Sequence, residues 1–180
     1  MLIERDRPQP SIMIYGAVSF YGKTHLRFIE GQQEIPVSRR KKKTVTKEIY
    51  TEEMLPAMFS DIIRMRQNRA WCLQQDGAKA HTSRQSVEWL ERDTFDLISP
   101  AQWPAKSPDL NGLDYCVWSI LLERTQKNRG VIKSIEDLKT ILTTAWNSIP
   151  QETLQNATKS WLNRLNQCIQ ARGSHFEHFL

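Results

Sequence analysis

Hydrophobic and polar residues follow two different patterns in the first third of the chain, one typical of strands and one typical of a helix. Ser11–Phe20 is rich in β-branched and aromatic residues, Tyr21–Lys23 has turn chemistry, and His25–Ile29 resumes the pattern. These segments predict a β-hairpin. From about Thr46 to Arg66, apolar residues recur mostly at helical spacings, which predicts a helix that bends at Pro56.

The middle of the chain predicts a strand, a helix and a second strand. Ala70–Gln75 is short and largely apolar and ends just before the turn-prone Asp76, so it is typical of a buried strand. Thr82 or Ser83 can cap an amphipathic helix, and Thr94–Ile98 follows as a short strand. This order favours a parallel βαβ unit that places Asp76 at the carboxyl end of its first strand.

Three further helices are predicted in the last third of the chain. Their approximate ranges are Asn111–Gln126, Ser134–Ser148 and Pro150–Ala171. The last helix has an apolar stripe from Leu154 to Ile169, which is typical of a helix that packs along one face.

The composition narrows the class of protein. With 180 residues and 39% hydrophobic residues, the chain suits one globular domain or part of one. We expect no membrane partner, because no apolar run approaches the roughly 18–20 residues that span a bilayer. Three cysteines without metal-ligand or disulfide spacing indicate a reducing compartment.

The excess positive charge is concentrated in one run. Residues 1–43 contain 9 basic and 4 acidic side chains, while the remaining residues contain 16 of each. The excess equals the run Arg39, Arg40, Lys41, Lys42 and Lys43. Such a run can contact nucleic-acid phosphates, act as a nuclear localisation signal, or lie as a solvated loop.

Two carboxylates are candidates for chemistry. Asp76 follows a predicted strand and Asp114 begins a predicted helix, so both can lie at the edge of a sheet where α/β proteins hold their sites. Carboxylate oxygens are ligands for Mg²⁺, although phosphodiester chemistry with two metal ions normally uses three or more acids.

Structural interpretations stay open for the same residues. Asp76 can be a turn residue, and Asp114, three positions after the potential cap Asn111, can accept amide hydrogens at its helix N-terminus. His81 can be a hydrogen-bonded loop residue or a residue near a reactive site.

Three segments resemble the catalytic domain of mariner-like transposases. QQDGAKAHTS at residues 74–83 and WPAKSPDLNGLDYCVW at 103–118 match two signature blocks of that family, and SIMIYGAVSFYGKTHLRFIEG at 11–31 resembles its hairpin. The resemblance implies an α/β, RNase H-like fold with a mixed sheet flanked by helices. It also implies DNA cleavage and strand transfer by an acidic triad that binds Mg²⁺ or Mn²⁺.

The resemblance assigns the carboxylates by motif. Asp76 corresponds to the second acid and Asp114 to the third, with 37 residues between them, whereas Asp109 belongs to the neighbouring SPDL sequence. The first acid of the family lies on a central strand upstream of the hairpin. Glu4 and Asp6 are the acids before Ser11, but their charged, proline-bounded segment is unlike a buried strand.

We therefore expect one partial catalytic domain over residues 1–180, N-terminally truncated so that the central first strand is missing. Residues 1–10 are expected to be disordered and 127–180 to form a helical extension. The expected partners are DNA and either a second copy or a full-length transposase, and the expected compartment is the nucleus. Alone, the chain should not cleave DNA. The alternatives are a non-catalytic nucleic-acid-binding or association module, and a relic without a biochemical role.

Overall fold

The computed structural model describes residues 11–29, 45–92, 96–105, 107–174 and 176. The basic run Arg39–Lys43 and the segment 1–10 lie outside these ranges. The predictions made for those two segments therefore stay predictions.

Six short strands form three two-stranded sheets within the described ranges. They are β1 (Met13–Tyr15), β2 (Val18–Ser19), β3 (Gly22–Lys23), β4 (Arg27–Ile29), β5 (Cys72–Leu73) and β6 (Asp96–Leu97). The first four strands pair as β1 with β4 and β2 with β3, both antiparallel, which confirms the predicted hairpin.

The hairpin changes register between its two halves. Met13 pairs with Ile29, whereas Val18 pairs with Lys23, so the returning strand holds one extra residue near His25. An extra residue on one strand is a β-bulge, which bends the strand and redirects the backbone beside it. Here the backbone N–H of His25 leaves the ladder and bonds a side chain of the following helix.

Six α-helices lie within the described ranges. They are α1 (Leu55–Arg66), α2 (Lys79–Thr82), α3 (Arg84–Arg92), α4 (Trp118–Gln126), α5 (Ile135–Asn147) and α6 (Gln151–Gln170). A π-helical turn, Ile49–Met54, precedes α1 and ends two residues before Pro56. The sequence predicts a bend at Pro56, because proline has no N–H and clashes with the carbonyl four residues back. In the structure the irregularity takes the form of this wider π-helical turn.

The central βαβ unit is confirmed. Strands β5 and β6 run parallel, with Cys72 opposite Asp96, and α2 and α3 lie between them in the sequence. Leu90 on α3 is fully buried in the same cluster as Leu73 of β5 and Tyr50. This unit places Asp76 three residues beyond the end of β5.

Two hydrophobic cores lie on opposite faces of the hairpin. Met13 and Tyr15 pack against the first core, which contains α1 and α3, while Ile12 and Ile14 pack against the second, which contains α4 and α5. This alternation follows from the two-residue period of side chains along a strand. Trp146 is fully buried in the second core and its indole N–H donates to the carbonyl of Thr24.

Helix α6 packs against the rest of the protein along only part of its predicted apolar stripe. Leu154 and Ala157 are buried, but Ile169 is 64% exposed, so the expectation of one continuous packing face is wrong for the end of the helix. None of the helices in the described part of the chain has both the length and the hydrophobicity needed to cross a bilayer.

Candidate functional site

Asp76 lies in the turn that follows β5. Its Oδ1 atom accepts a hydrogen bond from the backbone N–H of Ala78 at 3.0 Å and another from Nδ1 of His81 at 2.6 Å. The first bond is an Asx turn, in which a short carboxylate bonds the backbone two residues on. The turn interpretation of Asp76 is thus correct as local structure, and it leaves half of the side chain, 51%, exposed.

His81 lies on the short helix α2, directly beside Asp76. The ring of Tyr50 lies against the imidazole, with the two ring centroids 4.6 Å apart. The backbone carbonyl of His81 accepts a hydrogen bond from the side-chain amide of Gln75 at 3.3 Å, and the carbonyl oxygen of that amide accepts from the hydroxyl of Tyr50. The histidine is therefore held by both its ring and its backbone.

Asp114 lies in the first turn of a π-helical segment, Leu113–Val117, that leads into α4. Partial burial and then the negative charge of Asp76 raise the pKa of its carboxyl, while a hydrogen bond from the Asn111 side chain acts in the opposite direction. The side-chain oxygen of Asn111 also accepts a hydrogen bond from the backbone N–H of Leu113 at 3.2 Å, which is an Asx turn just before the N-cap residue Gly112. Asp76 and Asp114 are therefore electrostatic neighbours.

A glutamine links the two acidic segments directly. The side-chain amide of Gln74 donates to the backbone carbonyl of Leu110 at 2.8 Å. Leu110 ends a short 3₁₀ turn, Pro108–Leu110, immediately before the segment that carries Asp114. This bond fixes the end of β5 against the loop that leads to Asp114.

Helix α6 supports the Asp114 segment from the other side. The hydroxyl of Tyr115 donates to the backbone carbonyl of Ala157 at 2.7 Å. The guanidinium of Arg164 lies 3.9 Å from the centre of the Tyr115 ring and donates to the backbone carbonyl of Asp109 at 3.2 Å. Asp109 thus contributes its backbone to this support, and the residues on either side of Asp114 are tied to α6.

Four residues of this arrangement have no role in the sequence-based interpretation: Tyr50, Gln74, Gln75 and Arg164. The glutamine pair stands directly before Asp76 in the QQDGAKAHTS block, so its position next to a candidate ligand could have pointed to a role at the site. Tyr50 and Arg164 are distant from both acids in the sequence, and nothing in their local pattern separates them from ordinary helix residues.

The donor set at this site suits a hard divalent cation. Asp76 and Asp114 offer carboxylate oxygens, the ligand type that Mg²⁺ prefers, and their mutual repulsion is the kind of interaction that a cation relieves. No group of three or more His, Cys, Asp or Glu side chains within the described ranges is arranged to hold a metal ion. The residues therefore fit part of a metal site.

The comparison with family models matches residues 35–139 to the DDE superfamily endonuclease family. This stretch contains both acidic segments and more than half of the chain. The chain belongs to this family.

Two curated relatives are similar over most of the chain. The Tc3 transposase of Caenorhabditis elegans is 26% identical over 91% of this chain and 45% of its own length. The Tcb2 transposase of Caenorhabditis briggsae is 29% identical over 91% of this chain and 53% of its own length. The chain therefore spans about half the length of these relatives.

Solved structures of the Mos1 mariner transposase share the fold. The crystal structure of its catalytic domain gives a TM-score of 0.75 at 19% identity, covering 92% of this chain and 76% of the Mos1 chain. A Mos1 paired-end complex with the left transposon end gives a TM-score of 0.71 at 17% identity, covering 98% of this chain and 51% of that chain. The fold of the protein is accordingly RNase H-like, as the sequence predicted.

Proposed function

We propose that this chain is the metal-binding part of a DNA transposase catalytic domain, in which Asp76 and Asp114 are ligands of Mg²⁺ or Mn²⁺. One observation carries the proposal: two acidic segments, separated by 37 residues in the sequence, are joined by the hydrogen bond from the Gln74 amide to the carbonyl of Leu110. The raised pKa of Asp114, to which Asp76 contributes after burial, agrees with this arrangement. Membership of the DDE superfamily endonucleases supports a metal-binding role for this pair of aspartates.

Each residue of the site has a distinct part in the proposed function. Asp76 and Asp114 bind the cation, which when bound stabilises the negative charge that develops on phosphate oxygens during cleavage. Gln74 holds the two acidic segments together through the carbonyl of Leu110. His81 lies beside the metal ligands, in contact with Asp76.

DNA cleavage by this chain alone is not expected. Two carboxylates form part of a site that normally needs three or more, and the described residues hold no third acid at this position. We propose that a third carboxylate comes from a further segment or from a partner, either a second copy or a full-length transposase. Solved Mos1 relatives include a catalytic domain with Mg and another with Mn, which supports the choice of cation.

The proposed substrate is DNA, with the basic run Arg39–Lys43 as its main phosphate contact. Mos1 transposase has been solved in complex with a transposon end, and this run accounts for the net charge of +5. The run also suits a nuclear localisation signal, in keeping with a proposed nuclear location. Replacing all five residues with alanine should weaken DNA binding and flatten its dependence on salt. Unchanged affinity would exclude the run as the phosphate contact.

The metal proposal is tested by titrating the full chain with Mn²⁺ and measuring free Mn²⁺ by electron paramagnetic resonance. The variants Asp76→Asn and Asp114→Asn remove one charge each without changing side-chain shape. Asp96→Asn is the matched control, because Asp96 is an exposed aspartate at the other end of the β5 and β6 pair. We expect both site variants to weaken Mn²⁺ binding at least tenfold and the control to match the unmodified chain.

A nicking assay on supercoiled DNA accompanies the titration. We expect Mn²⁺ to bind without nicking by the chain alone. Equal Mn²⁺ affinity in Asp76→Asn and the unmodified chain would overturn the assignment of the ligands. Nicking by the unmodified chain would overturn the expectation that two carboxylates are too few for cleavage.

A further inference from the structure

The two oxygens of Asp76 have different surroundings. Oδ1 accepts both described hydrogen bonds, one from Ala78 and one from His81, while Oδ2 has no donor within the described ranges. Two donors on one oxygen fix the rotation of a carboxylate, because turning it would break both bonds. Oδ2 is the oxygen left for a cation.

The bond from His81 also fixes which ring nitrogen carries a proton. A carboxylate only accepts hydrogen bonds, so the contact of 2.6 Å between Nδ1 and Oδ1 requires a proton on Nδ1. Carboxylates that bind a metal ion are commonly held in orientation by hydrogen bonds from neighbouring groups. The imidazole is mostly covered, with 23% of its surface exposed.

A second layer of contacts holds the imidazole in that orientation. Tyr50 is 3% exposed and its ring lies against His81. Burial and then the charge of Asp76 raise the pKa of the Tyr50 phenol, so its hydroxyl stays a donor toward Gln75. Gln75 in turn donates to the His81 backbone, so Tyr50 supports both the ring and the backbone of the histidine.

We propose that His81 is a positioning residue for Asp76, that it acts through its Nδ1–H donor, and that Tyr50 and Gln75 hold it in place. The role rests on the proposed function, since it concerns how Asp76 is presented to a divalent cation. His81 itself binds no cation in this scheme.

Two amide substitutions separate this role from simple packing. In His81→Asn, the side-chain N–H can occupy the place of Nδ1, whereas in His81→Gln it occupies the place of Nε2 and does not reach Oδ1 in the same geometry. We expect His81→Gln to weaken Mn²⁺ binding by about tenfold, in the range for residues that orient metal ligands. His81→Asn should stay within about threefold of the unmodified chain. Tyr50→Phe, which keeps the ring and loses the hydroxyl, should fall between them.

The matched control is the second histidine and aspartate pair within the described residues, His25 and Asp61. His25→Gln removes the bond from Nδ1 of His25 to Asp61 on α1. It should leave Mn²⁺ affinity unchanged, because neither residue belongs to the segments that hold Asp76 and Asp114. Long-range ¹H–¹⁵N NMR of the metal-free chain gives an independent readout, since it should detect the proton of neutral His81 on Nδ1.

The possible failures are distinguishable. If Asp76→Asn leaves Mn²⁺ affinity unchanged, the proposed function fails. If Asp76→Asn weakens binding but His81→Gln and His81→Asn bind Mn²⁺ equally well, the positioning role of His81 is overturned. A neutral His81 with its proton on Nε2 would overturn it as well, whatever the metal affinity.

Discussion

Two histidine and aspartate pairs lie within the described residues, and they differ in which partner is the more buried. In one, Asp61 is 4% exposed and its partner His25 is 68% exposed. In the other, His81 is 23% exposed and its partner Asp76 is 51% exposed. Both contacts join Nδ1 to a carboxylate oxygen, at 2.9 Å and 2.6 Å. The same interaction thus secures a carboxylate inside the protein in one region and presents one to solvent in the other.

The surroundings of the carboxylates explain the difference. Burial by itself raises the pKa of Asp61, but hydrogen bonds from the side chain and backbone of His25 and from Arg27 outweigh it and lower the pKa. Asp114, by contrast, has its pKa raised by partial burial and by Asp76. A carboxylate surrounded by donors stabilises the fold, whereas two carboxylates that repel each other leave an unfavourable interaction that a cation can relieve.

The largest expected effect on the free energy of unfolding comes from removing the buried carboxylate of Asp61. Asp61→Ala leaves Arg27 without its charged partner and should lower the free energy of unfolding by about 3–5 kcal/mol, measured by urea denaturation. Arg64→Ala, which removes a mostly exposed partner of Asp61, should cost about 0.2–1 kcal/mol. Similar losses for both variants would mean that Asp61 is not the anchor of this cluster.

The next largest expected effect is stabilisation by a bound cation, which should depend on the acidic segments and not on the contacts of Asp61. At a Mg²⁺ concentration ten times its dissociation constant, binding should raise the free energy of unfolding by about 1.4 kcal/mol. At the same Mg²⁺ concentration the gain should fall to about 0.4 kcal/mol or less in Asp76→Asn and persist in Arg64→Ala, because only the first removes a proposed ligand. Thermal unfolding with and without Mg²⁺ measures it, and a gain that survives Asp76→Asn would place the cation elsewhere.

Acid should act on the two regions with opposite signs. The pKa of Asp61 is lowered on folding, so its stabilisation is present above the unfolded value of about 3.9 and is lost as the pH falls through the folded value. The pKa of Asp114 is raised, so its contribution is greatest below the unfolded value and is lost as the pH rises through the folded value. Unfolding curves from pH 6 to 3 should show a shallower acid loss in Asp61→Asn than in the unmodified chain. An unchanged profile would contradict the lowered pKa of Asp61.

The smallest expected effect is a gain. Without metal at pH 7, Asp114→Asn removes the repulsion from Asp76 and should raise the free energy of unfolding by a few tenths of a kcal/mol, since solvent screens exposed charges. Differential scanning calorimetry in the presence of a chelator measures the change. Loss of stability would show that Asp114 serves the fold more than it strains it.

The sequence predicted local elements well and the contacts between them less well. The hairpin, the helix before Arg66 and the parallel βαβ unit follow from hydrophobic periodicity, which depends on neighbouring residues. The motifs also selected Asp76 and Asp114 as candidate metal ligands, and that assignment stays a prediction. The bulge near His25 was not predicted, because it arises from a register change between paired strands.

Hydrophobic periodicity does not predict contacts between residues that are distant in the sequence. The position of Tyr50 beside His81 depends on how the π-helical turn before α1 packs, and the bond from Arg164 to Asp109 depends on how α6 packs. The exposure of Ile169 has the same origin, since a helical stripe records which residues share a face and not how far along the helix that face is covered.

The links between α6 and the Asp114 segment have a consequence for folding during synthesis. Tyr115 bonds a residue 42 positions later, and Arg164 bonds one 55 positions earlier. Translation delivers the acidic segment well before the helix that supports it, and contacts of such separation close late. On a ribosome the nascent chain therefore completes the surroundings of Asp114 only after α6 has emerged.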